Sequence, residues 1–204
     1  MTRRTSRNAA TVAWIATALL ASAATSTLAA DVAAYFSPSV NTLELITTKL
    51  DTATTSIDLA MFYFSNPACR AAIVHAKERG LTIRVILDKS QRVQASAGFQ
   101  WLRHHNIDAR IDSHEKIFHD KFCVIDGTTT IIGSTNWTDS GFLHNAEALV
   151  VITDATIATD FTANFNIHWA HTEQPAAAAP PPAAAPSPRV TSHHRHHAHK
   201  KRKP

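Results

Sequence analysis

A chain of 204 residues with 45% hydrophobic content has room for one domain of ordinary size plus appendages, and that composition excludes a wholly disordered chain. The formal charge of +4 does not describe the body of the protein. All 16 acidic residues lie between Asp31 and Glu173, where they face 11 basic residues, a net of −5. A basic pI therefore reports a cationic tail on an acidic body and excludes no class of function for that body.

Residues 1–30 contain no acid. Arg3, Arg4 and Arg7 lead into an apolar run from Ala9 to about Ala24, and small residues follow to Thr27-Leu28-Ala29-Ala30. This is the pattern of a secretory signal peptide, with cleavage expected after Ala29. The run is short for a spanning helix, which needs ~20 apolar residues. An uncleaved anchor or a transit segment is the competing reading. The expected organisation is a leader over residues 1–29, a folded domain over 30–174 and a tail over 175–204. The expected location is the periplasm or the exterior of a bacterial cell.

Strand and helix patterns alternate through the domain. A helix over about Ser39–Leu50 places Leu43, Ile46 and Leu50 on one face. Ser56–Phe64 is β-rich and apolar. Asn66 as cap and Pro67 in the first turn open a helix to Arg79, which Gly80 closes. Leu81–Leu87 reads as a strand, and Ser96–His105 as a helix. Short strands are expected over Ala109–Asp112, Phe118–Ile125 and Thr129–Gly133. Asp126-Gly127 supplies the turn that joins the last two as a hairpin. Ala146–Ile152 is apolar and β-branched enough for a buried strand, and Asp154 caps a last helix to about Trp169. The alternation predicts an α/β fold, a mixed sheet with helices on both faces. Cys69 and Cys123 are either a pair, as an exported protein permits, or two buried thiols.

The segment His119-Asp120-Lys121 carries the chemistry. In a strand, side chains two apart share a face. An imidazole beside a fixed ammonium suits phosphate esters: the cation holds the anion, and the imidazole serves as nucleophile or as acid and base. Asp120 projects the other way. Ser134 and Asn136 are again two apart, and both carry neutral donors for phosphate oxygens. Glu147 opens an apolar strand, where a carboxylate is costly without a partner. An imidazole N–H of His119 is the expected partner, fixing its tautomer.

His119-x-Lys121-x4-Asp126, then Gly133-Ser134-x-Asn136, then Glu147, resembles the HKD signature of the phospholipase D superfamily. Further landmarks are Tyr35-Phe36-Ser37-Pro38, Ala60-Met61-Phe62-Tyr63-Phe64, Lys77-Glu78-Arg79-Gly80 and Arg84-Val85-Ile86-Leu87-Asp88. With them the chain is similar, from about Val32 to Trp169, to the small EDTA-resistant bacterial endonucleases of that superfamily. The resemblance implies a phospholipase D-type mixed sheet and hydrolysis of phosphodiesters through a phosphohistidine, with no metal and no cofactor. It assigns catalysis to His119, Lys121, Asp126 and Glu147, and phosphate binding to Lys121, Ser134 and Asn136, although Asp126 reads more naturally as a brace for its turn or for a dimer. It also implies two HKD motifs per site. This chain has one: His75-x-Lys77 lacks the following acid, and His168 and His171 lack a lysine. The implied solution is a homodimer that shares one active site. The implied partner is DNA or RNA. Phospholipid hydrolysis and a non-enzymatic nucleic-acid-binding module are the alternatives.

The remaining motifs keep two readings each. Lys89, Arg92, Arg103, His104, His105 and Arg110 form either a basic rim or scattered surface charge, and His114 and Lys116 either line the groove or belong to a solvated loop. Trp137 either stacks on a base or packs in the core, whereas Trp101 and Trp169 read as helix-face packing. The tail, a Pro/Ala spacer followed by a His/Lys/Arg run, is an arm for nucleic acid, a metal-binding tract or a tag interrupted by Arg195 and Ala198.

Overall fold

The computed structural model describes residues 29–38, 41–92 and 98–172. Residues 1–28 of the expected leader and the whole 175–204 segment lie outside the described residues. Among those described, no helix is long and apolar enough to cross a membrane.

The chain runs β1 (Asp31–Ser37), α1 (Thr42–Thr52), β2 (Ser56–Met61), α2 (Pro67–Glu78) and β3 (Thr82–Asp88). A single 3-10 turn, α3 (Gly98–His104), β4 (Asp108–Asp112), β5 (Lys121–Ile125) and β6 (Thr129–Gly133) follow. The order closes with α4 (Asp139–Leu143), β7 (Glu147–Thr153) and α5 (Ala155–His171). Among the described residues, seven strands form one sheet in the order β1-β7-β6-β5-β2-β3-β4. β2, β3 and β4 are parallel; β5, β6, β7 and β1 continue the sheet antiparallel. This is the mixed α/β sheet that the alternation predicts.

Helices cover both faces. Ile46 and Leu50 of α1, Ile73 and Ala76 of α2, and Phe99 and Leu102 of α3 bury against Ile57, Leu59, Val85, Leu87, Cys123 and Ile125. On the other face Ala158 and Phe165 of α5 meet Ala60, Ile86, Phe122 and Val124. β2 and β3 are therefore buried on both sides, which is why each reads as a near-continuous apolar run. The exception is Asp58, whose carboxylate takes both Nε (2.7 Å) and Nη2 (2.6 Å) of Arg84, its neighbour in register.

Local signals set the element ends. Asn41 accepts from the Glu44 N–H (3.0 Å), so α1 starts at Thr42 rather than near Ser39. Asn66 caps α2 with Pro67 in its first turn, and Gly80 (φ 91) follows its end. Asp126 (φ 54) and Gly127 (φ 62) are both left-handed, and Thr128 N–H donates to Ile125 O (3.1 Å), the primed turn of a tight hairpin. Asp154 caps α5 through the N–H groups of Thr156 and Ile157. Cys69 and Cys123 are free, buried thiols, the second of the two readings, and burial pushes both up.

Two elements were not foreseen. β1 is an edge strand, largely exposed, paired with β7 from Asp31↔Thr153 to Ser37↔Glu147. α4 is a short helix capped by the Thr138 hydroxyl. α4, at five residues, is too short to show a helical period, and β1 follows directly on the small-residue end of the leader pattern.

Candidate active site

The edge of the sheet at the carboxyl ends of β2, β3 and β4 is also where β5 and β7 begin and where β1 and β6 end. Ligands of open α/β sheets bind outside that edge. Phe62 leaves β2 here, Lys121 enters β5, Ser134 and Asn136 follow β6, and Glu147 enters β7. The predicted residues His119, Lys121, Ser134, Asn136 and Glu147 thus gather on one edge.

His119 lies just ahead of β5 rather than inside it, a correction to the expected strand over Phe118–Ile125. Phe118 N–H is taken by the Asp88 carboxylate (2.9 Å) instead of a ladder partner, and Phe62 N–H donates to Asp120 O (2.9 Å). That second bond sets the Phe62 ring against both catalytic candidates. Its centroid lies 4.7 Å from the His119 ring and 5.3 Å from Lys121 Nζ. The ammonium also donates to His119 O (2.9 Å). His119 is exposed and Lys121 half-buried. Burial lowers the Lys121 pKa from its ordinary value, and the carboxylates of Asp120 and Glu147 oppose that shift.

Glu147 does not take an imidazole N–H. Its carboxylate accepts from the Ser134 hydroxyl and from Asn145 Nδ2 (3.0 Å), and Ser134 Oγ accepts in turn from Ala148 N–H (3.1 Å). In this arrangement Ser134 spends its proton on Glu147 rather than offering it to a phosphate. Asn136 Oδ1 accepts from Tyr63 N–H (3.2 Å), which leaves its amide N–H groups as the donors for an anion.

Asp126 is elsewhere. It ends β5 five residues beyond Lys121, about 16 Å along an extended strand. It accepts the backbone N–H groups of Thr54, Thr55 and Ser56 and the hydroxyls of Thr54 and Thr55. Partial burial pushes its pKa up, but the backbone donors of Ser56, Thr55 and Thr54 and the Thr54 hydroxyl outweigh that and hold it at about 2. Its assignment to catalysis is corrected: it braces the hairpin turn, as the residue itself suggested.

Trp137 is 1% exposed beside Phe64, so it packs in the core and offers no ring to a base. Arg110 is held by Asp108 and lies 3.7 Å over the Trp169 ring, which removes it from a basic rim. Lys89 donates to Glu115 O (3.0 Å), and His75 pairs with Asp51 away from the site. Three contributors escaped the sequence reading: the Phe62 ring, Asn145 and Asp88. Asp88 alone left a signal, a carboxylate at the end of a buried apolar strand.

A phosphate against this edge meets one ammonium, one amide donor and one exposed imidazole. That set suits attack at phosphorus with charge neutralisation. The chain matches the family model described as cardiolipin synthase, PLD-like domain, over residues 46–169. A phospholipase D of Rickettsia bellii is 31% identical over 134 residues, 66% of this chain and 67% of that protein. A mitochondrial cardiolipin hydrolase of Xenopus laevis is 31% identical over 114 residues, 56% of this chain and 54% of that protein. Among solved structures, the phospholipase D family member Nuc from Salmonella typhimurium superposes with a TM-score of 0.68 at 29% identity, covering 72% of this chain and 98% of that one. NucT from Helicobacter pylori shares the fold, with a TM-score of 0.67 at 18% identity. The family match over residues 46–169 and the Rickettsia relative, together with the shared fold, show that the chain belongs to the phospholipase D superfamily of phosphodiesterases.

Proposed function

We propose that the protein is a secreted, metal-independent and sequence-tolerant endonuclease that hydrolyses DNA or RNA in a homodimer. The observation that carries this reading is the half-site: one exposed His119 beside one Lys121, on a chain similar to Nuc along 98% of that protein's length. A single imidazole cannot attack phosphorus and protonate the leaving oxygen in the same step. In the dimer, a ring nitrogen of His119 attacks phosphorus and the P–O bond to the leaving oxygen breaks. His119 of the partner subunit gives that oxygen its proton. Water, deprotonated by the partner's His119, then attacks phosphorus and releases His119 from the phosphoryl group. Lys121 and Asn136 neutralise and hold the non-bridging oxygens, and Ser134 joins them when Glu147 turns to the imidazole. The Arg3-to-Ala30 leader supports export, and the His/Lys/Arg-rich tail supports capture of a polyanion by an otherwise acidic body.

Plasmid and single-stranded DNA incubated with the purified wild-type protein in EDTA should be cut, and His119→Ala should lower the rate by about 10³-fold or more. Wild-type protein that leaves both substrates intact sinks the proposal. The names of the curated relatives, phospholipase D and mitochondrial cardiolipin hydrolase, favour a second reading, hydrolysis of a phospholipid headgroup. Choline release from phosphatidylcholine vesicles, or conversion of cardiolipin to phosphatidic acid and phosphatidylglycerol, without nuclease activity decides for it.

A further inference from the structure

The phosphodiesterase edge makes no use of His168 and His171. We infer that the end of β4, the β4–β5 loop and the last turn of α5 form a binding site for a divalent cation of the Zn2+ class, held by Asp112, Glu115, His168 and His171. One ligand atom from each of the four lies within 4.8 Å of every other. A tetrahedral Zn2+ site with bonds near 2.0–2.2 Å sets its ligand atoms about 3.4 Å apart, so closing on an ion requires shifts of only about 1 Å.

The cluster is built into the fold. The Asp112 side chain is wholly buried, and its Oδ2 lies 3.0 Å from His168 Nδ1. Asp112 Oδ1 accepts from His114 N–H (2.9 Å) and so turns the loop back on itself. Glu115 Oε2 points at the same His168 nitrogen, 3.8 Å away, and this oxygen is buried without a hydrogen-bond partner among the described residues. An unsatisfied buried carboxylate oxygen close to a second carboxylate is costly, and a shared dication removes that cost. His168 and His171 are three apart on α5 and so share a face. His171 is exposed and stacks on His114 (4.4 Å between centroids), which steadies its ring at the open side where an ion would enter.

Two imidazoles with two carboxylates match Zn2+ better than Ca2+ or Mg2+, which take oxygen ligands. The ion would clamp to α5 the loop that delivers His119, four residues after Glu115. It lies outside the chemistry, because Phe118 N–H to Asp88 and Lys89 Nζ to Glu115 O hold the loop in any case. The inference does not depend on whether the substrate is nucleic acid or lipid.

The test compares full-length wild type with His171→Ala and Glu115→Gln, each stripped with chelator and titrated with Zn2+ against a chromogenic competitor. The tail histidines are common to all three proteins and cancel. Wild type should bind one more tight Zn2+ than either variant. Its Co2+ form should show the strong visible bands of four-coordinate cobalt, absent from His171→Ala. Zn2+ should raise the wild-type Tm by about 5 °C or more over any rise in the variants. Equal stoichiometry and equal Tm shifts in all three proteins overturn the inference and leave the cluster as a proton-shared His–Asp network.

Discussion

Asp126 is the residue whose position most changes what its motif means. Spacing alone groups it with His119 and Lys121, because the signature is written along one strand. A strand carries its ends apart, so the last letter of the motif sits at the opposite edge of the sheet. There it accepts hydrogen bonds from the three residues that lead into β2. Asn is the informative replacement, because it tolerates the left-handed φ of 54° and removes the charge together with one of the two acceptor oxygens. Asp126→Asn should cost about 1–2 kcal/mol at neutral pH, allowing for solvent screening, and leave turnover at 25 °C unchanged. The folded-state pKa of about 2 lies below the unfolded value. The difference between wild type and variant is therefore fully present above about pH 4 and disappears as the pH falls through about 2. Urea unfolding of both proteins across that range measures it. Glu147 shows the limit of residue-level reasoning. That a carboxylate there needs partners follows from the apolar strand around it. That the partners are Ser134 and Asn145 follows only from the α4–β7 connection, which folds Asn145 back toward the end of β6.

At the level of elements, α5 and the β2–β3 pair are joined by charge as well as by apolar packing. Arg84 is bidentate on Asp58, donates to Asn166 (2.9 Å) and lies 4.8 Å over the Phe165 ring. Asp58 is 8% exposed, so losing its partner leaves a carboxylate stranded under the helix. Arg84→Met should destabilise the protein by about 2–4 kcal/mol, and Asp58→Leu in the same chain should recover part of that loss. A double-mutant cycle in urea reads the coupling; additive losses refute it. The extent of α5 was legible from its Asp154 cap and the run to about Trp169. The cation that fills its gap was not, because Arg84 looks like an ordinary polar residue alternating in a strand.

For the whole molecule, the decisive question is how many copies make one site. Each chain offers one exposed His119, and Phe36 (56% exposed) lies on β1 opposite Ala148, beside Glu147 in the register. Under the proposed shared site, a self-complementary two-fold interface would bring the two copies of His119 together. Wild type and His119→Ala, unfolded together at equal amounts and refolded, should retain about a quarter of the wild-type rate if both copies of His119 serve each site. Retention of about half refutes the shared site, since each chain then works alone.

What the amino-acid order settles here is everything that a local period or a short motif can express. It settles the alternation of strands and helices, the caps at Asn66 and Asp154, the Asp126-Gly127 hairpin, and the pairing of an imidazole with an ammonium two residues apart. Those features depend on neighbours within a few positions, so a one-dimensional reading reaches them. The tertiary structure decides which of the motif residues meet. It carries Asp126 away from the edge, buries Trp137, gives Glu147 to Ser134 and Asn145, sets Phe62 beneath His119 and Lys121, and brings Asp112 and Glu115 to His168 and His171. Apart from the Asn145–Glu147 bond, these contacts join separate parts of the fold, and sheet order and strand direction, not spacing along the chain, set which ends come together.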